Sequence, residues 1–515
     1  MRRFLARHAD KVIGVLSGFD RLVLRGSLRR LAYVAGMKGF LWDRQILLKD
    51  FGVFAESATE RIKAATEEHA ERLGRPVLYL ASAQTNKEQV ALRVAEKDGI
   101  SEGLVCVLKC VEPCVGFDIH RNAEIKKLEL VMRFRKCLHY YHYVIDPVFG
   151  WMNARIQTWL PFPVQVCLNG REWLARQMDR EGLAYRRADN CFLRIDDFAG
   201  AQALMDRQLR TNWPRDLGRI AAFLNPVQDD VLQRPVPYYW TTHQSEWATD
   251  LAFRDAAALA SIYPALLLHG ITTFSSPDVM RFLGKKLDLR FQGEVVSDLR
   301  ERPEGVRIKH RVGHNSVKLY DKQGSVLRTE TTINDPRRFK VYRAAEGDQG
   351  GEMSWRPMRK GLADQHARAQ ASQAVNERYL DALADVDTAA PLGSLLADVC
   401  KAVTWNGKRV RGLRPVPGGD LELLQVITRG EFAIDGLRNR DLQVHLLHSK
   451  PADAADGRRR SAKVTRLLRL LRAHGILHKI PRTHRYKISP RGRQLAAAVL
   501  ATQRLTLEQI NTLAA

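Results

Sequence analysis

Tyr320 and Glu330 are the residues whose types and setting first suggest chemistry. They lie in NSVKLYDK and VLRTETTIN, two short runs parted by the turn QGS. A tyrosine hydroxyl can attack a phosphoryl group, and a nearby carboxylate can serve as base or metal ligand. Upstream, Glu294 and Asp298 are an even number of residues apart, so on a strand they share a face. With Glu330 they make a set of hard oxygen ligands suited to Mg²⁺, which would activate a water. The same carboxylates also suit ordinary ion pairs in a chain with 82 Lys and Arg. His139 and His142 fall on opposite faces of a strand, and Gly313 parts His310 from His314 at a turn, so neither pair reads as a metal site. Cys106, Cys110 and Cys114 lie at even spacing in a β-branched run, which predicts buried thiols on one strand face rather than zinc ligands. His243, Glu246 and Asp250 in YYWTTHQSEWATD form a further polar group, explained equally by a strand running into a helix start.

The cations follow a pattern of their own. In GVRIKHRV, Arg307, Lys309 and Arg311 share one face of a strand. In the runs that follow, Lys318, Tyr320 and Lys322 share a face, as do Arg328 and Glu330. A polar sheet face carrying these six cations reads as a phosphate track. The alternative is that Glu330 pairs with Lys318 or Arg328 inside the sheet. The chain's 82 basic and 57 acidic residues give +25, and a protein this basic most often holds a polyanion, usually nucleic acid.

The strongest local excess lies near the C-terminus. From Leu437 to Arg493 there are 16 Lys and Arg against three acids. DLELLQVITR, RNRDLQVHLL and SAKVTRLLRLLRAH read as three helices. Val464, Leu467, Leu468 and Leu471 make the apolar face of the third. ILHKIPRTHRYKIS then reads as two short strands. Arg438 and Arg440 would flank the second helix. Arg458, Arg459, Arg460, Lys463, Arg466, Arg469 and Arg472 lie on or before the third, away from its apolar stripe. Arg482, His484, Arg485 and Lys487 would arm the hairpin. This order resembles bacterial winged-helix modules, whose third helix reads nucleic acid.

The elements that must position these groups predict an α+β multidomain chain. Its mixed or antiparallel sheet body is covered by helices and joined to the C-terminal winged helix-turn-helix. Residues 1–75 read as an N-terminal helical segment, and 76–235 as an α+β domain with an aromatic antiparallel meander. Residues 236–345 read as a second α+β part with two basic hairpins, 346–390 as a linker and helix, and 391–515 as the winged-helix domain. The aromatics of the meander suit a core, or stacking on unpaired bases. No run of 18 apolar residues predicts a membrane span. The odd number of Cys and the lack of a secretory leader predict a cytoplasmic setting.

The run SVKLYDKxxSVLRTETTIN is similar to a stretch of phage and plasmid rolling-circle replication initiators, over about 20 residues. That resemblance implies a Tyr nucleophile, but the metal-binding His-hydrophobic-His motif of those nickases is absent. From GFDRLVLRGSL through GWMNARIQTWLPFPVQVCLNGREWLARQ to the winged helix, the chain resembles a widespread bacterial family of uncharacterised open reading frames. That resemblance implies the domain order, and a mobile-element setting fits it. The expectation is a nucleic-acid-binding protein of a mobile element, in a ribonucleoprotein or on DNA. It would hold structured RNA or unpaired DNA in a basic groove, with the winged helix adding duplex contacts. The alternatives are a metal-dependent nuclease or replication-initiator-like nickase, and a winged-helix transcription regulator.

Overall fold

The run VIGVLSGFDRLVLRGSL is apolar on both faces, as the middle strand of a covered sheet must be. In the computed structural model it is one strand of 17 residues, β1 (Val12–Leu28). Residues 1–75 are therefore not all helical: the strand nearest the middle of the body lies within them. The structure describes residues 1–502 except 226–227, 233–235, 273, 275, 285–294, 303–304, 346–349, 385–391, 430–431, 433–435, 448, 450 and 482.

The strands that follow are β2 (Val77–Leu80), β3 (Gly103–Asn122), β4 (Lys127–Asp146), β5 (Gly150–Gln157) and β6 (Val164–Asn169). A small hairpin, β7 (Tyr185–Ala188) and β8 (Cys191–Ile195), comes next. Then come β9 (Tyr238–Phe253), β10 (Val295–Arg302), β11 (Gly305–Val312), β12 (Asn315–Lys322) and β13 (Val326–Ile333). Eleven of these form one sheet in the order β10-β11-β12-β13-β9-β1-β6-β5-β4-β3-β2. Only the β2–β3 pairing is parallel. The two α+β parts expected separately thus share a single mixed sheet.

The two halves are built alike around the β1–β9 seam. In each, a long strand leaves into helices, and an antiparallel meander brings the last strand back to pair with it. β6 pairs with β1 in one half, and β13 with β9 in the other. One sheet face receives the helix Gln365–Leu383, whose Gln373 and Asn376 bond Trp247, Thr249 and Thr331 of the strands. The other face is covered at one end by the helices Gly170–Glu181 and Phe198–Arg207. Phe198–Arg207 lies so close that a Cβ at Gly14 or Gly18 would stand 2.2 Å from Phe198 or Met205.

The C-terminal module has its own apolar cluster. It contains the helices Leu421–Ile427, Asn439–Leu446 and Ala454–Ala473, then the hairpin strands Leu477–Lys479 and Tyr486–Ile488, then the helix Pro490–Thr502. Val464, Leu468 and Leu471 are buried as the helical spacing predicts, with Leu467 partly so. Among the described residues no single helix is long and apolar enough to cross a membrane.

Candidate metal centre

Two irregularities in the β1–β9 ladder shape the site. Phe19 and Arg21 pair with the consecutive residues Trp247 and Glu246, so Asp20 is an extra residue in β1. Val23 and Leu24 pair with Gln244 and Thr242, so His243 is an extra residue in β9. Such bulges re-aim side chains and are common beside active sites. Here they bracket Glu246, and the first brings the Asp20 carboxylate beside it.

The third carboxylate comes from β13. Strand register sets Glu330 opposite Ala248, and Ala248 shares its face with Glu246 and Asp250. Asp20, Glu246 and Glu330 each offer a carboxylate oxygen within 4.8 Å of the others, a set that could hold a metal ion. Three hard anionic oxygens on rigid strands suit Mg²⁺ or Mn²⁺ better than a soft-ligand metal. The side chains of Asp20 and Glu330 are 8% and 4% exposed and that of Glu246 16%, so the site opens on the Glu246 side.

Cations hold the cluster from behind. Arg328, 1% exposed, donates to Asp250 at 2.6 and 2.9 Å, to Asp20 at 3.2 Å and to the Asn190 carbonyl at 2.8 Å. Arg171, fully buried at the start of the helix after β6, donates to Asp250 at 2.9 Å. Asn190, in the β7–β8 turn, donates to Asp20 at 2.9 Å. Lys318 pairs with Glu330 and stands 3.7 Å from Glu246. Tyr320 donates to the other Glu330 oxygen at 2.7 Å.

No family model, no curated protein and no solved structure matches this chain. The chemistry therefore rests on the electrostatics of the site. Four carboxylates, Asp20, Glu246, Glu330 and Asp250, face Lys318, Arg328 and Arg171, and Arg21 also acts on Glu246. Glu246 is the least supported of them: burial and the Glu330 carboxylate raise its carboxyl above its ordinary value, outweighing Lys318 and Arg21. Burial would also raise Glu330, but the Lys318 ammonium and the Tyr320 hydroxyl bring it below the ordinary value. Asp250 is likewise lowered, the two arginines outweighing its burial. A divalent cation would relieve Glu246.

The expected catalytic set is thus redrawn. Glu330 falls in the acidic cluster, with Asp20 and Glu246 rather than Asp298 beside it. Glu294 lies outside the described residues. Asp298, on β10, is opposite Lys309, which is opposite Lys318, so two strands separate it from Glu330. Tyr320 touches Glu330 but is a poor nucleophile. Burial, then the Glu330 carboxylate, raises its phenol well above its ordinary value. The structure makes it a hydrogen-bond donor that fixes Glu330.

Of the six cations expected on an open track, three are occupied internally. Lys318 and Arg328 serve the acid cluster, and Lys322 pairs with Asp189 at 3.2 Å. Arg307, Lys309 and Arg311 share the face of Lys318, as alternation predicts, and are half-buried or exposed. Burial, then Lys318 and Arg307, lowers the Lys309 ammonium, the mark of a cation crowded by others.

In the C-terminal module Arg440, Arg458, Arg459, Lys463, Arg466 and His484 are exposed. Arg438, Arg460, Arg469, Arg472, Arg485 and Lys487 are half-buried, and Arg482 lies outside the described residues. Arg460 is tied to Asp456 at 2.6 Å, and Arg472 lies over the Trp405 ring at 4.8 Å. These two therefore serve the module's own structure. Arg459, Lys463 and Arg466 line an open concavity.

The other motifs are structural. Cys106, Cys110 and Cys114 are buried on β3, roughly 13 Å apart at strand rise, too far to share an ion. His139 and His142 are buried and neutral, held near pKa 4 chiefly by burial, and lie on opposite faces. His310 is buried against Ser297 and Tyr379.

Proposed function

We propose that this protein is a metal-dependent nuclease. Its substrate would be a nucleic acid strand laid over the polar face of the sheet where the covering helices end. The observation that carries this reading is the convergence of Asp20, Glu246 and Glu330 beside two ladder bulges in a strongly basic chain. The three carboxylates would hold one Mg²⁺ or Mn²⁺, which supplies activation of a water and neutralises charge on the phosphodiester. Arg328 and Arg171 fix Asp250 and Asp20, so the ligands need little reorganisation. Lys318 stands where it can meet a phosphate oxygen as well as Glu330. Arg307, Lys309 and Arg311 continue the positive face away from the site and would steer the backbone. The C-terminal module, read as a winged helix, would add duplex contacts through Arg459, Lys463 and Arg466.

The test is cleavage of end-labelled single-stranded DNA and RNA by the full chain with Mn²⁺ or Mg²⁺. Activity should vanish with chelator and in Glu330→Gln, and persist in Tyr320→Phe without any protein–nucleic acid adduct. Replacing Arg459, Lys463 and Arg466 by Ala should lower the slope of log affinity against log salt by roughly two to three.

A non-catalytic RNA- or DNA-binding protein is the second reading. It is favoured by the Lys318 ammonium, which already sits between Glu330 and Glu246 as a metal would. Wild-type protein that binds nucleic acid but neither binds metal nor cuts would select it.

A further inference from the structure

A cavity of about 940 Å³ lies at the open end of the sheet, next to the metal centre. Gln244 joins the two: it lines the cavity and donates to Glu246 at 2.9 Å. His243, the bulge residue of β9, also lines it, as do Arg337, Arg343, Arg356, Arg359 and Lys360. Among the described residues the only carboxylate in the wall is Asp335, which pairs with Arg337 at 2.9 Å. Arg343 reaches Asp364 at 3.6 Å. Among the described residues no carboxylate pairs with Arg356 or Lys360, and the Arg356 Nε is buried with no hydrogen-bond partner. Cations gathered at this density repel one another unless an anion joins them. The His243 imidazole is lowered chiefly by burial and next by Lys360 of the same wall.

We propose that this cavity binds a phosphate monoester, the terminal phosphate of the nucleic acid strand cut at the adjacent metal centre. This rests on the nuclease reading for its substrate but not for its binding chemistry. A monoester carries about −1.5 to −2 charge at pH 7 and three terminal oxygens, against a single charge on an internal diester. Guanidinium groups meet such oxygens in a fixed fork, with stronger bonds than neutral donors make. The cavity's charge therefore selects an end over the middle of a strand. Its placement through Gln244 would set the scissile bond at a fixed distance from that end. The same chemistry would accept a free nucleoside monophosphate or inorganic phosphate.

The experiment is fluorescence anisotropy of the full chain in chelator, so that no cleavage occurs. Labelled oligonucleotides of one sequence would bear a 5′-phosphate, a 3′-phosphate or hydroxyl ends. One phosphorylated end should bind about tenfold or more tighter than the hydroxyl form. The preference should vanish in Arg356→Ala with Lys360→Ala and in Lys360→Glu alone, whose melting temperatures should match wild type. Competition by adenosine monophosphate and by inorganic phosphate distinguishes the sources. A strand end as the ligand predicts that both compete only weakly, and equal competition would assign the cavity to the free ligand. Equal affinity for all ends in wild type, or an end preference that both variants keep, overturns the proposal. An end preference in a protein that cuts nothing would remove the nuclease reading and leave the cavity's assignment intact.

Discussion

The two halves of the sheet each carry a tyrosine, a glutamate and cations on neighbouring strands, yet among the described residues only one half gathers carboxylates that could hold a divalent ion. In the β3–β6 half, Tyr141 donates to Glu112 at 2.6 Å, with Lys87 at 2.9 Å and Arg155 at 3.5 Å from the carboxylate. In the β9–β13 half, Tyr320 donates to Glu330 at 2.7 Å, and Lys318 pairs with it. Among the described residues Glu112 meets two cations and no second carboxylate, so its charge is satisfied. Burial would raise it, but Tyr141 and Lys87 bring it below its ordinary value. Glu330 has Asp20 and Glu246 within 4.8 Å, and burial, then Glu330, raises the Glu246 carboxyl. The same trio is a closed ion pair in one half and part of a carboxylate cluster in the other. What differs is the seam, where bulges add Asp20 and re-aim its neighbours.

The largest effect should come from the support behind the carboxylate cluster. Arg328→Ala strips Asp250 and Asp20 of their buried partner and should cost about 3–5 kcal/mol in denaturant unfolding. A loss under about 1 kcal/mol would show that the cluster is not held by Arg328. Next, Glu112→Gln leaves Tyr141, Lys87 and Arg155 with one neutral acceptor oxygen and no countercharge, and should cost about 1–3 kcal/mol. It should leave the proposed cleavage intact, because that pair is a fold element. Loss of cleavage there, with the fold preserved, would erase the distinction between the halves.

The expected fold was legible where pattern is local. Alternation in GVRIKHRV, NSVKLYDK and VLRTETTIN placed Lys309, Lys318 and Glu330 on one face, and the ladder pairs them in that order. The helices and hairpin after Asp420 follow from apolar spacing and turn residues. β1 was not legible as a strand, because a run apolar on both faces fits a buried helix equally well. Asp20 was missed for the same reason, although an acid inside an apolar run is itself a signal of a paired or ligating carboxylate. Glu246 stood out as part of a polar group, but its partners are 226 and 84 residues away in sequence, and a bulge leaves no local trace. Asp298 does not reach Glu330, because sharing a face says nothing about how many strands intervene.

The smallest effect sharpens the comparison most. Because the Glu246 carboxyl is raised, folding favours its protonated form. That contribution to stability is full below the ordinary value of 4.5 and is lost as pH rises through the raised one. Glu246→Gln should therefore raise the thermal midpoint of the metal-free protein at neutral pH and flatten its pH dependence above 4.5. Glu112, lowered rather than raised, predicts the opposite sign for Glu112→Gln at neutral pH. A fall in the midpoint of Glu246→Gln would mean that Lys318 and its neighbours already balance the cluster.

The most direct test is calorimetric titration of Mn²⁺ into wild type, Glu330→Gln and Glu112→Gln. One site in wild type and in Glu112→Gln, with none in Glu330→Gln, is the predicted result. No binding to wild type, or unchanged binding in Glu330→Gln, would contradict the assignment of Asp20, Glu246 and Glu330 as a metal centre.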